Sequence, residues 1–410
     1  MEDCHRALGA LLSYCRKESW AGYDPYDGLN SPVAGIFFPG HKLPRTLITQ
    51  LVKRSPVNIR PLLRIKKSLN SKGLALAARA IALLSDRFGQ VLPENVSPPR
   101  EYHSSNPNDI AAGLIEDFSF LIGSLDSLRI SREAEAAWGY NFDWQSRAFF
   151  APSGTPNVVC TVFAAQAYLD WYERTGSVRA FETAQSSCRF LLDRLNRSED
   201  RTGYCFSYTP LDRSRVHNVN LLAAELLARV FSKSGDIEYR EASEKAVEFT
   251  IARQHADGCW SYGEGPSQRW VDSFHTGFIL VSLKRIGEHL GTDRCRQSLK
   301  RGYDFYATRF FLADSTPRYY HDSLYPIDVH SSAQAVITFV EMADLMPAAN
   351  EMSERSVNWA IKNMQDPSGF FYFQRHRLYT IKTPFMRWAQ AWMLYALSLY
   401  GCRSRMGSNG

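Results

Sequence analysis

Five apolar stretches open at nearly even intervals along the chain, at Asn157, Asn218, Ser273, Asp328 and Thr383, 55 to 61 residues apart. A unit of this length is one helix pair, which cannot bury a core alone and must stack on its neighbours, so the period limits the chain to a repetitive helical array. The first helix of each pair is rich in apolar or small residues: FAAQAYLDW (163–171), LLAAELLARVF (221–231), SAQAVITFV (332–340) and WAQAWMLYAL (388–397). Residues 72–88, KGLALAARAIALLSDRF, supply a sixth. A helix apolar nearly all round is an inner helix. The second helices, over 178–196, 238–254, 293–309 and 351–364, carry more charge and form the outer layer.

The junction between pairs is clearest at 254–283. Gln254, Gly258 and Trp260 form Q-x-x-x-G-x-W, with a glycine free to take positive φ at a helix end and an aromatic folding back over the turn. Asp272 and Ser273 then offer an N-cap to Phe274, Phe278, Ile279 and Leu283 at helical spacing. Residues 365–371 repeat the pattern as Q-x-x-x-G-x-F. The expected fold is all-α, an (α/α)6 toroid in a single domain over 1–402, with a flexible tail at 403–410 and no sheet larger than a hairpin. Further helices are expected over 2–18, 44–54, 58–69 and about 108–125.

Net charge is +6, with Lys and Arg scattered; the densest group, Arg60, Arg64, Lys66 and Lys67, reads as a solvated helix face and calls for no nucleic acid. The eight cysteines form no C-x-x-C pair and read as reduced, buried thiols. The N-terminal run is too short and too acidic for a signal peptide, and no segment reaches the ~20 apolar residues of a membrane span. A cytoplasmic protein is expected, at most peripherally associated with a membrane-bound machine.

Three regions hold candidate site residues. The loop WAGYDPYDGLNSP (20–32) places Tyr23, Asp24, Asp27 and Asn30 together, either as a turn tied by its own side chains or as one wall of a polar site. Residues 131–156 carry Trp138, Tyr140, Asn141, Asp143 and Trp144, the aromatic and amide or carboxylate groups that bind a sugar ring and its hydroxyls. At the inner-helix starts stand Asn157 and Thr161, His217, Asn218 and Asn220, Asp272 and His275, Asp328 and His330, then Arg387 and Trp388. Each alone is a cap or a core residue; if all inner helices start at one rim, they converge on one mouth.

The segment QHADGCWSYG followed by VDSFHTGFILVSL resembles the helical toroid of terpenoid cyclases and protein prenyltransferases, over roughly 157–400. GYDPYDGLNSP, WGYNFDWQ and DSFHTGF are more narrowly similar to VpsJ-type proteins of exopolysaccharide and capsule gene clusters. That resemblance implies a polysaccharide-biosynthesis setting and a sugar or oligosaccharide partner, free or nucleotide- or lipid-linked. Related α/α barrels include hexose 2-epimerases, unsaturated glucuronyl hydrolases and glucuronyl C5-epimerases.

The favoured reading is an epimerase, lyase or glycoside hydrolase needing no cofactor or metal. His275, oriented by Asp272, is the base; His330 is the opposing acid, with Asp143 in reserve. Arg387 grips an anionic group, and Trp138 or Trp144 stacks the ring. A non-catalytic glycan-binding or assembly subunit is the alternative. An isoprenoid enzyme is a further one: the D-x-D-D and D-D-x-x-D motifs are absent, although Asp257, Cys259 and His275 echo the zinc ligands of protein prenyltransferases.

Overall fold

The inner helices can approach one another closely because alanines and other small side chains line their contacts. The computed structural model describes residues 2–32, 41–97, 102, 109–132 and 135–406. In chain order its helices are α1 (Glu2–Lys17), α2 (Lys42–Arg54), α3 (Ser71–Phe88), α4 (Leu114–Ser127), α5 (Val158–Thr175), α6 (Val178–Arg194), α7 (His217–Ser234), α8 (Ile237–Ile251), α9 (Ser273–Leu290), α10 (Arg296–Arg309), α11 (Val329–Met342), α12 (Ala348–Met364) and α13 (Ala391–Met406). Neighbour contacts run α3–α5–α7–α9–α11–α13 and back to α3, which closes a ring of six inner helices. Outside them pack α4, α6, α8, α10 and α12, and α1 is the sixth outer helix, against α13. The all-α toroid expected from the repeat is the observed fold.

Closure depends on the junction turns. Gln254 donates from Nε2 to the Gly258 carbonyl (2.8 Å) and to the Ser298 carbonyl of the next outer helix (2.9 Å). Gln365 repeats both bonds, to Gly369 O (3.0 Å) and to Ala7 O of α1 (2.9 Å). The N-terminal helix thus stands where the next repeat's outer helix would be.

Four expectations need correction. Residues 58–69 are not a helix: Arg60 is drawn inward to Asp27 (2.7 Å), and Arg64 takes a positive φ of 55°. A three-stranded antiparallel sheet exceeds a hairpin: Ile327–Asp328 pairs with Gln374–Arg375, which pairs with Thr380–Ile381, on the rim. The last inner helix opens at a π turn, Met386–Gln390, rather than at Thr383. Finally α13 runs on to Met406, and Arg403 donates to Val340 O (2.8 Å), so order extends past 402; residues 407–410 lie outside the described part. No two of the eight cysteines are joined. Among the described residues no helix is long and apolar enough to cross a membrane.

One end of the ring is shut. Phe163, Phe278 and Trp392 meet across the axis, with ring centroids 5.2 to 6.3 Å apart. Beyond them Arg79 and Arg229 pair with Asp170 (2.7 and 2.6 Å), and Arg285 bridges Glu225 and Glu341 (3.0 and 2.9 Å). The opposite end, where the inner helices begin, is left open by the described residues.

A Cβ on Gly369, whose φ is +101°, would lie 2.3 Å from Ala10 O. Gly176, at φ +73°, has nothing within 4 Å. Gly176→Ala is therefore expected to cost about 1–2 kcal/mol, from backbone strain alone. Gly369→Ala should cost about 3 kcal/mol or more, because displacement of α1 adds to strain of ~1–3 kcal/mol. Urea unfolding midpoints test this; equal losses would remove the closing role of the turn.

Candidate functional site

Helix starts need acceptors for their free N–H groups, and four inner helices find them in rim side chains. Asn70 caps α3 at Lys72 N and Gly73 N, Asn157 caps α5 at Cys160 N, Asp272 caps α9 at His275 N, and Asp328 caps α11 at His330 N. With these termini aligned, the residues of the first turns face a common cavity of about 250 Å³.

Asp272 performs two tasks. Its Oδ1 accepts from the His275 backbone (3.0 Å), while Oδ2 lies 2.7 Å from His275 Nδ1 and accepts from Trp270 Nε1 (2.8 Å). Asp272 is buried, and the His275 side chain is 21% exposed. A carboxylate on Nδ1 fixes that nitrogen as the proton donor and leaves Nε2 with its lone pair free for a ligand proton. Tyr262 lies against the His275 ring at 4.5 Å and stacks on Trp270 at 4.5 Å.

His330 stands at the floor, wedged by Phe274 (4.6 Å), Trp388 (4.7 Å) and Trp392 (4.5 Å). Both ring nitrogens are buried without a protein partner. Burial, with help from the charges of Lys72, His275 and Arg387, pushes its pKa well below the ordinary value, so the ring is neutral. The opposing acid expected at this position is thus met by a neutral imidazole, a weak proton donor. Asp328 does not orient the ring: its carboxylate is held by Gln374 (2.6 Å) and Trp388 Nε1 (3.0 Å), and burial raises its pKa.

Lys72 was not among the residues expected at the site. Its Nζ sits 4.8 Å from the Phe163 ring, 4.9 Å from Trp392 and 5.6 Å from Phe278, directly over the aromatic floor. Burial, and next the Arg387 charge, lower its pKa to about 7. The signal for it was present: a lysine in the first turn of an apolar helix, where the macrodipole disfavours a cation.

The other candidates divide. Tyr140, Trp144, Asn218, Arg387 and Trp388 line the cavity with His275 and His330. Tyr140 and Tyr208 share a 2.8 Å hydroxyl bond, and Asn218 Oδ1 is buried without a partner. Arg387 does not offer its fork to a ligand, because Asp24 takes Nε and Nη2 (2.7 Å to the latter). That pair corrects both assignments.

Asp27 is likewise occupied, by Arg60 and by Asp24 N (2.9 Å), and burial raises its pKa to about 6. Tyr23 lies against Arg60 and Lys67 rather than in the cavity, and Asn30 donates to Asn141 O (3.0 Å). The 20–32 loop is thus a turn tied by its own side chains, and among the described residues it sends only Tyr26 to the cavity. Trp138 is fully buried with Nε1 on Leu125 O (2.8 Å). Asp143 accepts from Ser153 N (2.7 Å) outside the cavity, and Asn220 is a core tie to Phe206, Ala246 and Thr250. None of the three reaches a ligand.

Asp257 and Cys259 gather with His255, not with His275; their ligand atoms lie within 4.8 Å of one another. Burial and the Asp257 carboxylate push the Cys259 thiol up to about 12. The prenyltransferase-like zinc set with His275 is not assembled.

Lys53, Arg54, Lys72, Arg147 and Arg387 line the cavity, and among the described residues no aspartate or glutamate does. Lys53 donates to Tyr26 OH (2.9 Å), and Arg147 lies over Trp270 at 4.6 Å. Two of Arg387's donors are spent on Asp24; the remaining cations give the cavity a positive field.

Lys72 keeps its proton up to about 10.5 in the unfolded chain but releases it near 7 in the folded one. Between these values the unfolded chain binds more protons, so stability rises with pH. Buried thiols, held protonated above their unfolded range, lose stability over the same interval, so the lysine is read as a difference: from pH 7 to pH 9.5 the urea midpoint of the wild type should rise relative to that of Lys72→Met. Identical pH profiles would show an unperturbed lysine.

No family model and no curated protein matches this sequence. Solved structures do share the fold. Cellobiose 2-epimerase from Bacillus thermoamylovorans aligns with a TM-score of 0.63 at 10% identity, covering 83% of this chain and 90% of its own. A family 76 glycoside hydrolase (mannosidase) from Bacteroides thetaiotaomicron aligns at 0.61 and 10% identity, covering 100% and 99%. A family 76 α-mannanase from the same organism aligns at 0.60 and 10% identity, covering 84% and 89%. The chain is similar in architecture to these carbohydrate-active (α/α)6 proteins.

Proposed function

We propose that the cavity binds an acidic sugar and moves a proton at a ring carbon beside its carboxylate, as an epimerase or a lyase. The observation that carries this reading is the lining itself: an Asp-supported histidine among several cations and aromatic rings, with no carboxylate among the described residues that line the cavity. Glycoside hydrolysis ordinarily requires two carboxyl groups across the scissile bond. Proton abstraction beside a carboxylate requires instead a base and cations that neutralise the acid, since charge develops on it as the C–H bond breaks.

In this scheme His275 Nε2 takes the proton while Asp272 stabilises the imidazolium. Lys53, Arg54 and Arg147 attract the carboxylate at the mouth. Lys72 lies 4.9 Å from the Trp392 ring and His275 lies 6.1 Å from Phe278, and both of those rings pack on His330. Lys72, titrating near neutrality, delivers a proton to the other face in an epimerase, or to the departing oxygen in a lyase. His330 and Asn218, with buried polar atoms lacking protein partners, bond the sugar hydroxyls, and Trp144 or Trp388 packs on the ring. Enzymes that share the toroid include sugar epimerases and mannosidases, which supports a sugar in this cavity. The VpsJ-like segments support a place in exopolysaccharide or capsule biosynthesis, where the acidic sugar would be an oligosaccharide unit or a nucleotide- or lipid-linked one.

Incubation with uronate oligosaccharides and nucleotide-linked uronic acids in deuterated water, read by NMR, tests the proposal. Deuterium at one ring carbon marks an epimerase and an unsaturated ring a lyase. His275→Ala should abolish either signal, and Lys72→Met should weaken binding of the anionic sugar about 10- to 100-fold, the range for a charged hydrogen bond. A new reducing end without unsaturation would mean hydrolysis and overturn the scheme. Binding without turnover across the panel would leave a glycan-binding subunit.

A further inference from the structure

The segment from Gly28 to Ser85 holds ten lysines and arginines and not one aspartate or glutamate. A second acid-free run extends from Pro367 to the C-terminus. Both contribute to the open end of the toroid, and between them they present apolar side chains that the fold leaves in solvent. On α2, Ile48, Thr49 and Val52 turn inward. Leu43, Leu47 and Leu51, each four residues after the last, form a stripe on the other side and are 76%, 66% and 60% exposed. Val57 and Leu62, in the irregular segment that follows, are 69% and 81% exposed. Lys53, in the last turn of α2, lies 5.6 Å from the Trp388 ring, which donates to Asp328 of the rim sheet (3.0 Å). His376 opens the hairpin turn whose Leu378 is 91% exposed.

Single exposed leucines are ordinary on a folded surface; a stripe of three on one helix, joined by further apolar tips, is not. Lys42 and Arg54 stand at the two ends of α2, Arg64 and Lys66 lie in the segment that follows it, and all four are exposed. The acids nearest in sequence are committed elsewhere: Asp24 and Asp27 are buried in pairs with Arg387 and Arg60, and Glu18 holds Lys67. The face therefore offers apolar anchors in a cationic surround with little of the opposite sign. A helix with one face packed on its protein and the other presenting leucines between basic residues has the form that lies in the plane of an anionic bilayer. Its leucines enter the acyl boundary, and its cations meet the headgroups.

We infer that α2, with the Val57–Leu62 segment and the Leu378 hairpin tip, docks the protein on an anionic lipid surface with the cavity mouth turned toward it. The C-terminal turn of α2 supplies Gln50, Lys53 and Arg54 to the cavity lining, so one helix belongs to both surfaces. Docking there brings the opening to the headgroup layer, where a sugar carried on a lipid phosphate would be presented. The inference goes beyond the reaction proposed above and does not depend on it.

Flotation with vesicles of phosphatidylcholine containing 30% phosphatidylglycerol, against vesicles of phosphatidylcholine alone, tests it in the full chain. The wild type should float with the anionic vesicles, at least tenfold more than with the neutral ones, and should detach as salt rises, because exposed charges are screened. The triple variant Leu43→Ser, Leu47→Ser, Leu51→Ser should lose at least tenfold of the binding with its melting curve kept, since these side chains touch little of the protein. Arg64→Gln with Lys66→Gln should lose several-fold and shift the salt dependence, a second readout should the triple variant fold poorly. No flotation of the wild type at low salt would overturn the proposal, as would undiminished flotation of both variants. A wild-type dimer in solution that the leucine variant splits into monomers, without vesicle binding, would assign the face to a second copy of this chain instead.

Discussion

A contact between a turn and a carbonyl sets the geometry on which everything else rests. At three junctions the backbone after an outer helix approaches the next outer helix so closely that only hydrogen fits. A Cβ would meet Lys245 O at 2.1 Å from Gly203, Arg301 O at 2.4 Å from Gly258, and Ala10 O at 2.3 Å from Gly369. Each such approach fixes the step from one repeat to the next, and six equal steps close a ring. The third contact is made to α1, more than three hundred residues earlier in the chain. Closure is thus the same local contact as propagation, applied between the two ends of the sequence. This explains why an N-terminal helix outside the visible repeat is needed to complete the outer layer.

With the step fixed, the inner helices begin in register, and their caps become the furniture of the cavity. The chemistry of capping and the chemistry of the site use the same residues. Asp272 shows how: one oxygen satisfies the start of α9 and the other holds the imidazole of His275. Asp328 has the same place on α11, yet its second oxygen turns to Gln374 from the rim sheet. The two repeats are alike in sequence around the cap and differ in what leans on it. Removing either carboxylate therefore has mixed consequences, since the loss of a cap costs about 1 kcal/mol whatever happens to the ring beside it.

The toroid was legible because periodicity and the glycine turns are local properties, written in residues a few positions apart. The pairing of Asp272 with His275 was legible for the same reason, being three residues along one helix. What stayed hidden was long-range. Nothing in the residues around Arg387 says that Asp24, 363 positions earlier, will occupy its fork, and nothing near Asp27 points to Arg60. Asp143 and Trp138 carry the right groups for a sugar site, but the loop that bears them folds those two away while presenting Tyr140 and Trp144 from the same seven residues. Residues 58–69 misled by composition: their leucines and lysines suit a helix, whereas a buried guanidinium and a left-handed Arg64 impose a turn. The rim sheet joins strands of two residues each, too short for any alternating pattern.

The distribution of charge separates structure from site. At the shut end, Arg79, Arg229 and Arg285 each meet carboxylates at hydrogen-bond distance, and the buried charges cancel in a fully bonded network. At the open end the balance is abandoned: Lys72 sits over three rings with its charge disfavoured by burial, and His330 keeps two buried nitrogens without partners. Buried polar atoms left unbonded each cost on the order of 1–3 kcal/mol, and a core built for stability alone would have replaced them with apolar side chains. Both residues lie on the same side of the aromatic floor formed by Phe163, Phe278 and Trp392, the side that opens to solvent. Arg387 is paired with Asp24 on that side, so it is Lys72 and His330 in particular whose burial the anionic sugar proposed above would offset, by bringing its own hydrogen bonds and negative charge. That local departure from a satisfied core supports the proposed site independently of any likeness in fold.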